Sequence, residues 1–399
     1  MSRRWFSLVL LSVLLASPLL SSTADAIPAF ARRYSVSCTQ CHDPIPRLNA
    51  FGELFAGHGF RMVAGESPAD TIPTDDALLA LGRTLPLAIR FEAHMQAYGS
   101  APVESDFQSP FGLKLLSSAP LSPSLSYYFY FFLAERGEVG GVEDAFVMWN
   151  DVGGRSFDVS FGQFQVSDPL FKRELRLMFD DYAVYRARMG DQAADLTYDR
   201  GFLAALDWQG FTLTGEVVNG NGKGAADGGR FDDDRNKNLF GHVTRDIVPG
   251  LRVGAMGYLG WQQENRPGLG SDNRFWYAGV DATLDAGPLQ VNGQYLRRQD
   301  DAPTFDLGEP ESKLDGAFVE FLLVPPAKRW YAFALWNRLE ADRPILDPRM
   351  GGPAGVDRYS SFSGGAGWLV QRNARVQVEG LWDFELDDMR WTVSTIVAH

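Results

Sequence analysis

From about residue 84 to His399 the sequence alternates apolar and polar side chains, stretch after stretch, with a period of two. In "FTLTGEVVNG" Phe211, Leu213 and Val217 share one face, and Thr212, Thr214 and Glu216 the other. "LQVNGQYL" sets Leu289, Val291 and Tyr295 against Gln290, Asn292 and Gln294. "WYAFALWNRLE" and "VQVEGLWDF" repeat the pattern, with Tyr331, Phe333 and Leu335, then Val376, Val378 and Trp382, on the apolar side. Successive side chains of a strand point to opposite faces, so this alternation predicts strands with one apolar and one polar face. Two architectures satisfy it. A soluble sandwich turns the apolar faces inward, and a membrane barrel turns them toward lipid around a polar lumen.

The connections separate the two. Short links at 207–211, 246–250, 285–288, 324–329 and 371–374 alternate with longer ones at 219–236, 263–273, 299–312 and 340–356. Short turns on one side and long loops on the other are the pattern of outer-membrane barrels, with the short turns periplasmic. The fold class expected is therefore all-β and membrane-embedded: an antiparallel outer-membrane β-barrel of about sixteen strands. The spans are 84–99, 107–118, 124–136, 142–150, 156–165, 196–208, 211–218, 237–246, 251–262, 274–284, 289–298, 313–323, 330–339, 358–370, 375–384 and 389–399. An even count returns the C-terminus to the side where the first strand begins, and fourteen or eighteen strands would do the same.

Two features resist this scheme. The stretch "SDPLFKRELRLMFDDYAVYRARMG" (167–190) is charged and not clearly stranded, so it is either an external loop or one folded into the lumen. The last strand, "RWTVSTIVAH", puts Trp391, Val393, Thr395, Val397 and His399 on one face, so the barrel would end on His399 rather than on the aromatic residue common at this place.

The N-terminus fixes the route. A short basic region, the apolar run "WFSLVLLSVLLASPLL" and Ala24-Asp25-Ala26 read as a signal peptide spanning 1–26. The alternative, an uncleaved anchor, has an apolar run on the short side for a span. No later segment reaches the ~18 uninterrupted apolar residues that a transmembrane helix needs. The net charge of −13 argues against nucleic acid and points to an acidic surface or lumen.

The only two cysteines, Cys38 and Cys41, stand in one motif and are followed at once by His42. In an exported protein, C-x-x-C-H reads as a c-type haem attachment. The two thiols add across the two vinyl groups of the porphyrin, and the adjacent imidazole falls beneath the iron as proximal ligand. A disulfide, a redox pair or half a zinc site would use the same residues. No βαβ pattern surrounds the motif, however, and no third cysteine completes a zinc site. Downstream, Pro46 can open a helix whose apolar face carries Leu48, Phe51, Leu54 and Phe55, with Gly57 and Gly59 ending it. The second axial position has three candidates: Met62, 20 residues beyond His42, then His58 and His94. A haem segment at 27–70 is too short to build its own core, so it needs the haem and a further wall. The simplest assembly seats it in or against the mouth of the 84–399 barrel.

"IPAFARRYSVSCTQCH" followed by "LNAFGELFAGHGFRM" resembles the fused monohaem cytochrome–porins of bacterial outer membranes, whose best-known members are iron(II) oxidases. "SDPLFKRELRL" is similar to members of the wider group. The resemblance implies one covalent haem c on Cys38 and Cys41, with His42 as proximal ligand. It also implies an outer-membrane location in a Gram-negative bacterium, with the haem segment entering from the periplasmic side. Electrons would pass from an extracellular one-electron donor, Fe(II), to periplasmic carriers such as soluble cytochromes. One departure bears on the donor: Arg33-Tyr34-Ser35 stands where the iron-oxidase lineage has Gln-Thr-Gly. Acidic residues in expected external loops, Asp232-Asp233-Asp234 and Asp387-Asp388, would attract Fe²⁺ or simply be solvated. The competing readings are a porin with a haem-containing plug or redox gate, and a soluble periplasmic haem protein. A conventional hydrolase is disfavoured, since neither G-x-S-x-G nor H-E-x-x-H occurs.

Overall fold

The computed structural model describes residues 29–62, 66, 71–76, 78–79, 81–83, 86–99, 104–166, 175–192, 194–232, 234–263, 270, 272–348 and 354–399. The expected signal segment and residues 167–174 of the non-stranded stretch lie outside the described residues.

Among the described residues sixteen antiparallel strands close into one barrel, each pairing with the next along the sequence. They are β1 Leu87–Tyr98, β2 Ser105–Ser122, β3 Leu125–Glu135, β4 Val142–Trp149, β5 Phe157–Gln165, β6 Tyr198–Trp208, β7 Phe211–Val218 and β8 Asn238–Val248. The second half comprises β9 Leu251–Gln262, β10 Asn273–Ala286, β11 Leu289–Asp300, β12 Ser312–Leu323, β13 Trp330–Ala341, β14 Arg358–Gln371, β15 Ala374–Asp383 and β16 Asp388–Ala398. Each expected span holds one strand, with ends displaced by a few residues. β16 closes on β1, and the last residue makes the final rung: His399 and Ile89 exchange both backbone hydrogen bonds at 2.7 Å. His399 thus ends the ladder through its backbone, which any residue type can do.

On β5 to β9 the apolar faces point outward, as expected. Phe161, Phe202, Val217, Leu239 and Leu259 are paired directly across five neighbouring strands, and all are exposed, between 42% and 52%. Near the short turns, Trp149, Trp208, Trp330 and Trp368 are exposed in the same way. Such a belt, closed around the molecule, is a surface for a bilayer, and partly exposed tryptophans suit its interfacial edge. The sandwich alternative, with its apolar faces buried, does not form. The inward face is polar along β15, β16 and β1, where Gln377, Ser394 and His94 stand side by side, all buried. It is largely apolar on β12 and β13, where Phe318 and Leu339 are buried in the same cluster as Tyr182. On β13 the expected lipid face is reversed: Tyr331, Phe333 and Leu335 turn into the lumen, each at most 5% exposed, because they pack there in one apolar cluster with Leu177, Tyr182 and Tyr185.

A sixteen-stranded barrel leaves a lumen that wall side chains cannot fill. The connection between β5 and β6 fills part of it. Its described residues carry Leu177, Tyr182, Val184, Tyr185 and Met189, each at most 2% exposed. A single helical turn, Ala183–Arg186, docks on β12 and β13. The wall holds this connection by its backbone: Glu379 accepts from Phe179 N (2.6 Å) and Asp180 N (3.2 Å), and Asn337 Oδ1 accepts from Ala183 N (3.1 Å). Arg188–Met189 pairs with Leu346–Asp347 of the β13–β14 loop. Of the two placements open from sequence, the described part of 167–190 takes the lumen.

Replacing mid-strand outward Val280, 57% exposed, by arginine is expected to destabilise the barrel by about 2–4 kcal/mol in lipid vesicles. Urea titration of the vesicle-inserted protein checks it, and Val280→Leu should cost little.

Candidate functional site

The N-terminal segment folds into helix α1 Ala29–Tyr34, a 3₁₀ turn Cys38–Gln40 and helix α2 Ala50–Gly57. α2 starts at Asn49, whose Oδ1 accepts from Gly52 N at 3.0 Å, not at Pro46. Polar caps are strong helix starts because they satisfy an otherwise orphaned amide. Pro46 has another part: its carbonyl lies 3.0 Å from His42 Nδ1, and that of Arg47 lies 3.2 Å away. Leu54 is 54% exposed and leaves the expected apolar face, whereas Phe55 is buried. α2 packs closely on the motif, since a Cβ on Gly52 would stand 2.3 Å from Cys41 O. That contact demands glycine.

Cys38, Cys41 and His42 come together on the wall of one apolar cavity of about 200 Å³. Phe30, Phe55 and Phe60 extend that wall, with Phe30 edge-on to Phe55 at 5.2 Å and stacked on Phe60 at 5.5 Å. The barrel completes it with Tyr128, stacked on Phe60 at 4.8 Å, Tyr130 and Ala398. Both thiols are free, and burial pushes both above the ordinary thiol range, so at neutral pH they are protonated and uncharged. Burial also lowers the His42 imidazole, against the opposing effect of the two carbonyls. A neutral ring whose Nδ1–H is directed at a backbone carbonyl keeps Nε2 as its lone-pair donor. Two thiols, one oriented imidazole and an aromatic wall are a donor set able to hold a haem c.

The three candidates for the second axial position lie elsewhere. His58 is the exposed C-cap of α2, and Met62 is half-buried beside Glu66, its amide 2.7 Å from Glu66 Oε2. Neither lines the cavity. His94 is on β1 with Nδ1 2.8 Å from Ser394 Oγ, edge-on to Phe111 and Phe179. It lines a separate lumen cavity of about 440 Å³, which shares Arg90 and Lys114 with the first.

Contacts around the short-turn rim seat the segment. Arg61 donates to Pro123 O (2.7 Å) and to Asp151 Oδ2 (2.9 Å), and Arg32 donates to Leu87 O (2.6 Å). Arg252 faces Glu53 at 3.4 Å, and Lys328 pairs with Asp43. Arg47 donates to Gln290 Oε1 (2.6 Å) and lies 3.6 Å from Glu320, with both members of that ion pair almost fully buried. Sequence reasoning missed these anchors. The parity of Glu320 marks it as inward-facing, but no local signal pairs it with Arg47, 273 residues away in sequence.

The acidic loop residues are partly committed. Asp232 pairs with Lys237, and Asp234 accepts from Asn236 N (2.6 Å) and Gln263 N (3.1 Å). Asp233 lies outside the described residues. Among the described residues no group of three or more His, Cys, Asp and Glu gathers to hold a metal ion.

Several solved outer-membrane proteins share this architecture. OmpT of Vibrio cholerae is 12% identical with a TM-score of 0.55, covering 79% of this chain and 99% of that one. OmpF of Salmonella typhi, in complex with daunomycin, is 11% identical with a TM-score of 0.55 over 79% and 97%. The channel DcaP of Acinetobacter baumannii is 10% identical with a TM-score of 0.54 over 78% and 96%. The barrel has the fold of an outer-membrane porin. No family model matches the sequence, and no curated protein does. At these identities the likeness is one of fold alone.

Replacing Arg47 by alanine leaves Glu320 buried without its cation, which costs about 3–5 kcal/mol at a buried pair. The expected outcome is faster proteolytic cleavage of the N-terminal segment in vesicle-inserted protein, with the barrel still resistant.

Proposed function

We propose that this protein is an outer-membrane electron conduit: a cytochrome–porin with one covalent haem c at the short-turn mouth of its barrel. One observation carries the reading. Both cysteines and the histidine that follows them meet on one apolar cavity wall, built jointly by the N-terminal segment and the barrel, with the histidine ring oriented by backbone carbonyls. The porin fold and the outward apolar belt support an outer-membrane location, and the short turns, with the haem segment beside them, would then face the periplasm.

Cys38 and Cys41 would hold the haem through thioethers, and His42 would be its proximal ligand through Nε2. The haem supplies reversible one-electron chemistry. The phenylalanine wall excludes water from the site, and the pairs at Arg47, Arg61 and Glu53 keep the segment seated. The electron donor on the long-loop side would be iron(II), and the acceptor a periplasmic carrier such as a soluble cytochrome. A porin whose haem segment acts as plug or redox gate is the second reading, favoured by the lumen cavity of about 440 Å³.

Iron(II) added to the oxidised, detergent-solubilised protein is expected to raise the reduced-haem α-band within seconds to minutes. No reduction on that scale would remove iron as the donor. The double substitution of Cys38 and Cys41 by alanine should abolish haem staining on denaturing gels, whereas Met62→Ala and His58→Ala should leave the haem spectrum unchanged. Deleting residues 27–64 should raise bilayer conductance under the second reading.

A further inference from the structure

The lumen cavity carries a charge pattern that composition conceals. The whole protein has a net charge of −13, and an acidic lumen was one expectation from it. Yet the cavity wall presents eight arginine and lysine side chains against four carboxylates. It extends from the β3–β4 and β7–β8 loops, at Arg136 and Lys223, down to Arg90 and Lys114, which also border the cysteine cavity. Most of its acids are engaged by cations of the same wall. Glu92 pairs with Arg90 and with Lys114 (3.3 Å), Asp195 with Arg188 (2.9 Å), and Glu143 with Lys223.

Arg375 stands apart from these pairs. It is 4% exposed, lines the cavity and makes no ion pair among the described residues. Its Nη1 reaches Tyr331 Oη (2.6 Å) and Gln377 Oε1 (3.3 Å), its Nη2 reaches Leu177 O (3.4 Å), and its buried Nε has no hydrogen-bond partner. A buried guanidinium without a counter-charge is costly, and an anion in the adjoining cavity would supply one. Nearer the loops, Arg136 lies among other cations. Burial first, then the charges of Arg186 and Arg176, hold its guanidinium below the ordinary arginine value, against the nearby Glu135. Low-dielectric walls lined by one sign of charge concentrate the opposite ion and repel its counterpart.

We propose that the lumen of this barrel is a path for small anions, with a binding step at Arg375, and that it excludes free divalent cations. The proposal stands on the cavity and its charges, independently of any haem. Joined to the electron-transfer reading, it implies that iron reaches the haem through the lumen only as an anionic chelate.

The test uses the full-length protein in planar bilayers under a KCl gradient. The expected reversal potential favours chloride over potassium several-fold. Inorganic phosphate added on the long-loop side should reduce the chloride current. Arg375→Gln should raise the phosphate concentration needed by about tenfold, the scale of one lost charge-assisted hydrogen bond. Arg136→Gln, which removes a loop side chain outside the strands, should lower chloride preference while keeping the phosphate block, and carries the test if Arg375→Gln does not assemble. A potassium-favouring or indifferent reversal potential, an absence of chloride current, or unchanged phosphate sensitivity in an assembled Arg375→Gln barrel would overturn the proposal. A barrel that selects chloride but whose haem never accepts electrons would refute the conduit and leave the anion path standing.

Discussion

Closure of the hydrogen-bond ladder is the constraint on which the rest of this structure depends. A strand edge left open in hydrocarbon would expose a row of unpaired amides and carbonyls, each costing several kcal/mol. The two bonds between His399 and Ile89 complete the rung that joins the last strand to the first. Once the ring is closed, the parity of every strand has a meaning: one face meets lipid and the other the lumen. The row from Phe161 to Leu259 and the row Gln377, Ser394 and His94 are two results of one geometric condition.

Closure creates a second requirement. Sixteen strands enclose more space than their inward side chains fill, so the protein supplies two further pieces. The N-terminal segment enters by the short-turn rim, and the β5–β6 connection folds in beside it. They meet on Glu320, which accepts from Tyr182 Oη (2.7 Å) and Asn292 Nδ2 (2.7 Å) and lies 3.6 Å from Arg47. This one carboxylate ties wall, inner connection and N-terminal segment together. Its burial is tolerable because each oxygen has a partner. The space left over divides into the apolar cavity at the cysteines and the cationic cavity along β1, β2 and β15.

The strands were legible because their signal is local and repeated. An inward glutamine such as Gln377 and an outward tryptophan such as Trp382 declare their faces by position alone. The motif of Cys38, Cys41 and His42 was legible for the same reason. The helix start was misplaced because Pro46 and Asn49 both carry start signals. The packing of Gly52 on Cys41 O, together with the pull of the Pro46 carbonyl on His42, favours the later one. The placement of the β5–β6 connection was ambiguous because its charged and apolar residues serve equally for a solvated loop or a lumen filling. Docking on Glu379 and Asn337 decides between them.

The sequence by itself determined the ring: strand number, strand parity except on β13, the alternation of short and long connections, and the clustering of two thiols with one imidazole. These follow from periods of two and from residues adjacent in sequence. On β13 both faces carry apolar side chains, and Tyr331, Phe333 and Leu335 turn inward. Tertiary structure decided what the ring encloses. It set His94 apart from the cysteine cavity, brought Arg47 to Glu320 and gathered arginines from β1, β15 and the connections into one cationic lumen wall within an acidic protein. Net charge is a sum over all residues, whereas the field in a lumen depends on which side chains face it. Only closing the barrel makes that selection.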